Sequence, residues 1–364
     1  MSKRMILAIS AAAVLVAAIA VFIAVRSGSS GSAGGTDPSG KQSEAQLVSR
    51  LRDGDMNAVR EYIEDEKARK NLKSIVDRFE KELQFPQYSR PIDSSSYDLL
   101  NPYVFIPVQR PFPENAKLSY DLVLPRQVMF RGETIDVTLR VMNNGEAVPA
   151  VHSAKAVLFD EERGHKTVTS FDLKPGQSSD KMRVFSGSYL PPQGIDLGNF
   201  CAVAVTFNTE GYGSLTASAM FTYANPVARV INIGTTKVEG PHLVIPVILK
   251  TEKPGDYRVT ANLYASGEPI INAFGVSHIS GGEAAVDIRI HASALREKGN
   301  PGPYVIKDFT VDRLPTSEEA MLYGTGVDKE FSIPKRSLKE YSSEKYENAD
   351  EKRKLEQLKL FLGE

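Results

Sequence analysis

The chain has 364 residues, and its 45 acidic side chains nearly balance its 44 basic ones, so the formal net charge is −1 at pH 7. This balance gives no reason to expect nucleic acid or a broadly anionic surface as a partner. The single cysteine, Cys201, excludes an intramolecular disulfide, and the length suffices for two or three domains after an N-terminal apolar segment.

The N-terminal segment predicts a membrane anchor. Residues 5–25 carry no charge and only Ser10 as a polar side chain. A helix of about 21 residues spans roughly 31 Å, which is close to the hydrocarbon thickness of a bilayer. A cleaved signal peptide is the alternative, but the apolar centre of such peptides is only about 7–15 residues long. Because Lys3 and Arg4 precede the run, residues 1–4 are expected in the cytoplasm and the bulk of the chain outside, in a single-pass arrangement at the inner membrane.

Two segments of different character follow the anchor. Residues 26–42 are rich in glycine and serine, which predicts a flexible linker. Residues 43–85 carry apolar side chains at helical spacing with an interruption at Gly54, which predicts a short helix, a turn and a longer helix. The charged face of these helices is interpreted as solvated, with a specific binding role as the alternative.

Residues 86–117 predict an extended strap that packs on the first of two β-sandwiches. The strap contains six prolines, which fix φ and remove backbone donors, so it cannot form a central strand. Five interleaved aromatic residues distinguish it from a free linker. They are Tyr88, Tyr97, Tyr103, Phe105 and Phe112. A proline and aromatic strip that binds another protein is the alternative interpretation.

Residues 118–226 and 227–334 predict two tandem immunoglobulin-like antiparallel β-sandwiches, so the fold class is mainly β. Apolar and polar side chains alternate in both segments, and about seven short strands in each is the number expected of such a sandwich. In the first segment the predicted strands are 118–124, 133–142, 155–160, 167–173, 181–190, 199–208 and 214–223. In the second they are 228–233, 243–250, 257–264, 269–274, 284–290, 304–311 and 327–333.

Two features of the remaining chain are interpreted as structural. Cys201 shares one face of a predicted strand with Val203 and Val205, which predicts a core side chain rather than a reactive thiol. Residues 335–364 are charged, with leucines at helical spacing near their end, which predicts a C-terminal helix. That helix is expected to dock on the second sandwich or on the N-terminal helices, with a partner-binding helix as the alternative.

The sequence contains no recognisable catalytic motif. It lacks G-x-S-x-G, H-E-x-x-H, C-x-x-C, Walker A and G-x-G-x-x-G patterns. Its five histidines lack metal-ligand spacing. They are His152, His165, His242, His278 and His291. The acidic run 160–162 predicts a hairpin tip, and a calcium site there is disfavoured because the regular spacing of oxygen ligands is missing. No catalytic residue, cofactor-binding residue, cofactor or metal ligand is therefore predicted.

Several short stretches carry a family resemblance. In the first sandwich they are 145–150, 174–176, 186–192 and 198–200, and in the second 302–306. With these stretches, about half of the chain resembles the immunoglobulin/fibronectin-like modules of bacterial envelope proteins and of von Willebrand-type accessory proteins. Ser186 and Lys174 stand where that pattern has aspartate, which argues against an acidic ion site of the kind the pattern carries. The resemblance implies a fold and no activity.

The leading functional hypothesis is a membrane-anchored periplasmic protein that binds or scaffolds an envelope protein, without nucleic acid as a partner. Its affinity is expected to come from sheet edges or from loops at the ends of the sandwiches. One alternative is a cell-envelope hydrolase with a non-local acidic site, which requires a deep pocket with convergent carboxylates. The other is a structural component that self-associates through its C-terminal helix.

Overall fold

The computed structural model describes four stretches of the chain, namely residues 66–113, 115–143, 148–195 and 197–362. The predicted tail, anchor and linker, and the first part of the helical segment, lie outside these residues. Among the described helices, none is both long enough and apolar enough to cross a membrane. The chain divides into two compact units, residues 1–86 with 345–364 and residues 87–344.

The prediction of a mainly β chain is confirmed, because the described residues form four sheets and few helices. The strands are β1 (Ser89–Pro91), β2 (Arg110–Phe112), β3 (Asn115–Val123), β4 (Val128–Phe130), β5 (Ile135–Asn143), β6 (Val151–Asp160), β7 (Lys166–Asp172), β8 (Lys174–Pro175), β9 (Met182–Tyr189), β10 (Phe200–Thr209), β11 (Gly213–Ala224), β12 (Ala228–Ile233), β13 (Lys237–Glu239), β14 (His242–Thr251), β15 (Gly255–Ala265), β16 (Glu268–Ile279), β17 (Gly282–His291), β18 (Tyr304–Arg313), β19 (Leu322–Gly324) and β20 (Glu330–Ile333). The helices are α1 (Glu66–Glu82), α2 (Tyr97–Leu100), α3 (Ala292–Lys298) and α4 (Ala349–Leu362), and Leu338–Glu340 forms one 3₁₀ turn.

The smaller unit pairs the two longest helices. Helix α4 begins after Asn348, whose side-chain oxygen accepts the backbone N–H of Glu351 at 3.1 Å and so caps the helix. Val76 of α1 and three leucines of α4 are buried, and Lys359 of α4 pairs with Glu80 of α1 at 2.7 Å. The leucines are Leu355, Leu358 and Leu362. The C-terminal helix therefore docks on the N-terminal helical segment, which was one of the two predicted docking places.

The first sandwich consists of one sheet ordered β2-β3-β5-β9-β8 and a second ordered β4-β11-β10-β6-β7. The alternation in β5 explains the packing, since Val137 and Leu139 are fully buried whereas Asp136 between the buried positions is exposed. Val203 and Cys201 of β10 face them in the same core. Burial raises the pKa of the Cys201 thiol to about 12, so the prediction of a core side chain is confirmed.

The second sandwich repeats this strand order. Strands β12, β14 and β17 correspond to β3, β5 and β9, and the run β16-β15-β18-β19 corresponds to β7-β6-β10-β11. The two sheets meet closely at Gly275 of β16, where a Cβ atom would lie 2.2 Å from the carbonyl oxygen of Asp287. The shared order supports the interpretation of the two segments as one repeated plan.

The sequence predicts that the strap packs on the first sandwich, but the strap contacts both sandwiches. Its first part forms β1, an edge strand that pairs antiparallel with residues 271–273 of β16 in the second sandwich. Its last part forms β2, which pairs with β3 in the first sandwich. The expectation that prolines exclude a central position holds, because β1 and β2 each lie at a sheet edge.

Tyr103 holds the middle of the strap between the sandwiches. Its ring packs edge-on against Phe130 of the first sandwich, 6.2 Å between centroids, and against Tyr323 of the second, 5.9 Å. Its hydroxyl donates to the carbonyl of Val311 at 3.4 Å, and burial raises the pKa of this phenol well above its usual range. One side chain thus ties the strap to both sandwiches.

A buried amide fixes the helical turn α2 of the strap. Asn262 is fully buried on β15, and its side-chain N–H groups donate to the carbonyl of Leu99 at 2.6 Å and to Asp308 at 3.1 Å. Its side-chain oxygen accepts from Asn272 at 2.8 Å. Every polar atom of this buried amide therefore has a partner, which makes the contact a specific clamp.

A histidine pair fixes the first part of the strap. His242 of β14 lies directly opposite His291 of β17, with ring centroids 5.2 Å apart, and the hydroxyl of Tyr88 forms a hydrogen bond with Nε2 of His242 at 2.8 Å. Burial is the main cause that lowers the pKa of both imidazoles, followed by Arg289 for His242 and by His242 for His291. The nearby carboxylate of Glu344 acts in the opposite direction on both groups.

We predict that Tyr103→Ala lowers the free energy of unfolding by about 2–3 kcal/mol, somewhat less than truncation of a fully buried aromatic side chain. Chemical denaturation of the full chain would measure the loss. Tyr97→Ala is the matched control, because Tyr97 lies in the same strap but is 62% exposed. Equal effects of the two variants would contradict the bridging role of Tyr103.

We also predict that acid destabilises the protein through the histidine pair. A pKa that is lower in the folded state means that the unfolded state binds protons more readily. The neutral histidines therefore contribute fully to the free energy of unfolding above the pKa of the unfolded state, about 6.5. This contribution is lost as the pH falls from that value to the lower pKa of the folded state. Unfolding measured between about pH 7.5 and 5 should show this fall in stability.

His242→Gln tests the assignment, because a glutamine side chain can still form a hydrogen bond with Tyr88 but does not titrate. The variant should be less sensitive to acid than the native chain. His278→Gln is the matched control, since the His278 side chain is 68% exposed on β16, where it contacts Asp256. The fall in stability on acidification should be smaller in His242→Gln than in this control. Native acid sensitivity in His242→Gln would refute the assignment.

Candidate functional site

The longest strand of the first sandwich has an open edge. Strand β4 pairs in parallel only with residues 222–224 of β11, and Gln127 adds one side-chain hydrogen bond to the carbonyl of Met220 at 3.0 Å. On this side, the part of the chain that the structure describes supplies no partner strand for residues 213–221. Unpaired strand edges are where extended segments of other chains bind.

The hydrogen-bonding pattern shows which backbone groups face the open side. Thr222 donates its N–H to Gln127 on that side at 2.9 Å, whereas the next residue, Tyr223, donates toward β10 at 2.7 Å. Because these directions alternate along a strand, the N–H and C=O groups of Thr216 and Ser218 and the N–H of Met220 point to the open side. Within the described ranges, no hydrogen bond reaches these five groups.

A groove accompanies this edge. It has a volume of about 280 Å³, with β11 on one side, the strap on the other and β3 beneath. Three of its apolar side chains are exposed, namely Ile106 and Val108 of the strap at 67% and 70% and Met220 of β11 at 51%. Unpaired backbone groups beside exposed apolar side chains can bind a strand through its backbone and hold its side chains in the groove.

The sequence explains why the strap lines the groove instead of filling the edge. Pro107 lies in the middle of the groove-lining part and has no N–H to donate. The strap then turns to the other sheet, where Arg110 pairs with Tyr120 of β3. Of the strap residues that line the groove, Phe105 packs against the core of the first sandwich.

The electrostatics of the groove are simple, because its lining contains two charged residues, Asp121 and Arg110. Asp121 is nearly buried and accepts two hydrogen bonds from Arg140, at 2.8 and 2.6 Å. The same contact raises the pKa of the Arg140 guanidinium. Arg110 is exposed, and its side chain has no hydrogen bond or ion pair with any described residue.

A second cleft, of about 350 Å³, lies between the two sandwiches and contains the carboxylates of Glu133 and Asp328. Glu133 already accepts from Arg126 at 2.8 Å and from the backbone N–H of Phe130 at 2.9 Å. Asp328 is exposed. This arrangement lacks the free convergent carboxylates that the hydrolase alternative requires.

The acidic run at 160–162 lies at the end of a hairpin, as predicted, since β6 and β7 pair on either side of it. Asp160 is buried, and its carboxylate accepts the backbone N–H of Gly198 at 2.8 Å with Arg163 at 3.6 Å. Across the described residues, no three side chains of histidine, cysteine, aspartate or glutamate are grouped to hold a metal ion. The run therefore fastens the loop before β10.

Neither the edge groove nor the histidine pair was predicted from the sequence. The pair depends on the register of β14 against β17, which periodicity does not give. The groove depends on how little of β11 is covered by β4. The one local signal in the sequence is the pair of apolar residues on either side of Pro107, Ile106 and Val108. They lie in the segment for which a strip that binds another protein is the alternative interpretation.

Three solved structures give partial matches to this chain at very low sequence identity. A DUF4785 family protein from Legionella pneumophila is 13% identical, with 60% of this chain and 57% of that chain covered and a TM-score of 0.37. Escherichia coli alpha-2-macroglobulin is 11% identical over 64% of this chain and 15% of its own, with a TM-score of 0.30. Red sea bream transglutaminase is 13% identical over 60% and 31%, with a TM-score of 0.26.

No protein-family model and no curated protein matches the sequence. The chain spans little more than half the length of the Legionella protein and smaller fractions of the other two. With TM-scores below 0.5, these partial matches leave both fold and function to be argued from the chain itself.

Proposed function

We propose that this protein is a binding or scaffolding protein of the bacterial cell envelope that captures an extended segment of a partner protein along the open edge of β11. The observation that carries the proposal is the row of five unpaired backbone groups beside the groove. The partner strand would extend the sheet β4-β11-β10-β6-β7 by one strand on that side.

The expected affinity is modest. Each new backbone hydrogen bond contributes about 0.5–1.5 kcal/mol net, and apolar contact with the groove adds to this, whereas ordering the bound segment costs several kcal/mol. Because these opposing contributions are similar in size, the expected complex is weak. Such affinity suits a protein that holds its partner reversibly.

The organisation of the chain supports this role. The predicted anchor at 5–25 and linker at 26–42 would keep the folded part close to the outer face of the inner membrane, with the N-terminus in the cytoplasm. The two sandwiches, which we interpret as tandem immunoglobulin-like modules, have cores filled by side chains such as Leu139 and Leu249. Filled cores favour function at edges and surfaces.

We predict that Ser218→Pro abolishes partner binding while leaving the fold intact. Proline removes the outward-facing N–H of Ser218, which makes no hydrogen bond within the described sheet, and its ring occupies the open edge. Binding of extended peptides to the full chain in detergent, measured by fluorescence polarisation, should fall at least tenfold.

Ser218→Ala is the matched control, because it removes the exposed hydroxyl and keeps the backbone donor. It should bind as the native chain does. Circular dichroism and thermal unfolding of both variants would verify that the sheet persists. Undiminished binding by a folded Ser218→Pro chain would show that the edge of β11 is not the binding surface.

A further inference from the structure

We infer that the segment bound in the groove carries a carboxylate side chain that pairs with Arg110. The inference rests on the proposed function of the β11 edge and specifies the chemistry of the partner. It follows from which charge in the groove is compensated and which is not.

The acidic residue of the groove is neutralised inside the protein. Arg140 holds Asp121 through two hydrogen bonds, at 2.8 and 2.6 Å, and the Asp121 side chain is only 5% exposed. Arg110 has no such partner among the described residues, although it lines the same groove and is exposed. The groove therefore presents one uncompensated positive charge to a bound segment.

The position of Arg110 defines where the carboxylate would lie. Arg110 pairs with Tyr120, whose ring contacts that of Phe207 at 5.2 Å between centroids, and Phe207 lies opposite Leu215 of β11. Arg110 therefore lies toward the end of the groove that is nearer the start of β11. The other end is near Gln127, which donates its backbone N–H to the carbonyl of Tyr103 in the middle of the strap.

A guanidinium favours a carboxylate over other side chains for geometric as well as electrostatic reasons. Its planar donors match the two oxygens of a carboxylate, and lysine on the partner would be repelled. A bound segment with alternating apolar and polar side chains can direct its apolar residues toward Ile106, Val108 and Met220 and an acidic residue toward Arg110.

A random nonapeptide display library, selected on the full chain in detergent, tests the inference. Selected peptides should be enriched in aspartate or glutamate toward one end, whereas selection on Arg110→Glu should enrich lysine or arginine there. For a selected peptide, replacing its acidic residue with the amide should weaken binding to the native chain about three- to fivefold, the range of a partly exposed ion pair. The same replacement should have no effect on binding to Arg110→Gln.

Arg90→Gln is the matched control, because Arg90 is an exposed strap arginine that lies on β1 in the second sandwich. It should retain the preference for acidic peptides. Selected peptides that bind the native chain and not Ser218→Pro, yet show no acidic preference, would overturn this inference and leave the proposed function standing. Failure to select any peptide that distinguishes the native chain from Ser218→Pro would overturn both.

Discussion

The requirement that backbone groups at sheet edges find partners governs how this protein is put together. The strap meets that requirement at two sheets, because it supplies β1 to the edge of β16 and β2 to the edge of β3. Between these two pairings it passes β11 without forming a strand. The one edge that the strap approaches and does not complete is the one that carries the candidate site.

Three side-chain contacts of different chemical kinds hold the strap along this path between the two sheets. An aromatic ring lies between the sandwiches at Tyr103, a fully satisfied amide holds α2 at Asn262, and a phenol meets an imidazole at Tyr88. Each contact joins two residues that are far apart in the sequence. Together they place Ile106 and Val108 beside β11, where both side chains remain exposed to solvent.

Periodicity in the sequence predicts most of the strands but not their neighbours. The predicted bounds of β12 coincide with those observed, and the ten-residue strand β10 is displaced by a single residue. Strands of two or three residues, such as β4 and β19, are too short to show an alternating pattern and were missed. The short length of β4 leaves most of the β11 edge unpaired and so creates the candidate site. The same short length makes β4 undetectable from the sequence pattern. The predicted packing of the strap is wrong in part for a related reason, because the three-residue edge strand β1 leaves no periodic signal in the sequence.

The pairing of β1 with β16 has a consequence for the order in which the chain can fold. Ser89 is synthesised long before its partner Ala273, and the whole first sandwich lies between them in the chain. A nascent chain can therefore complete the first sandwich while the beginning of the strap still lacks its docking strand. The beginning of the strap can dock only after β16 has emerged and paired with β15. Docking of β1 therefore marks the point at which synthesis has reached the middle of the second sandwich.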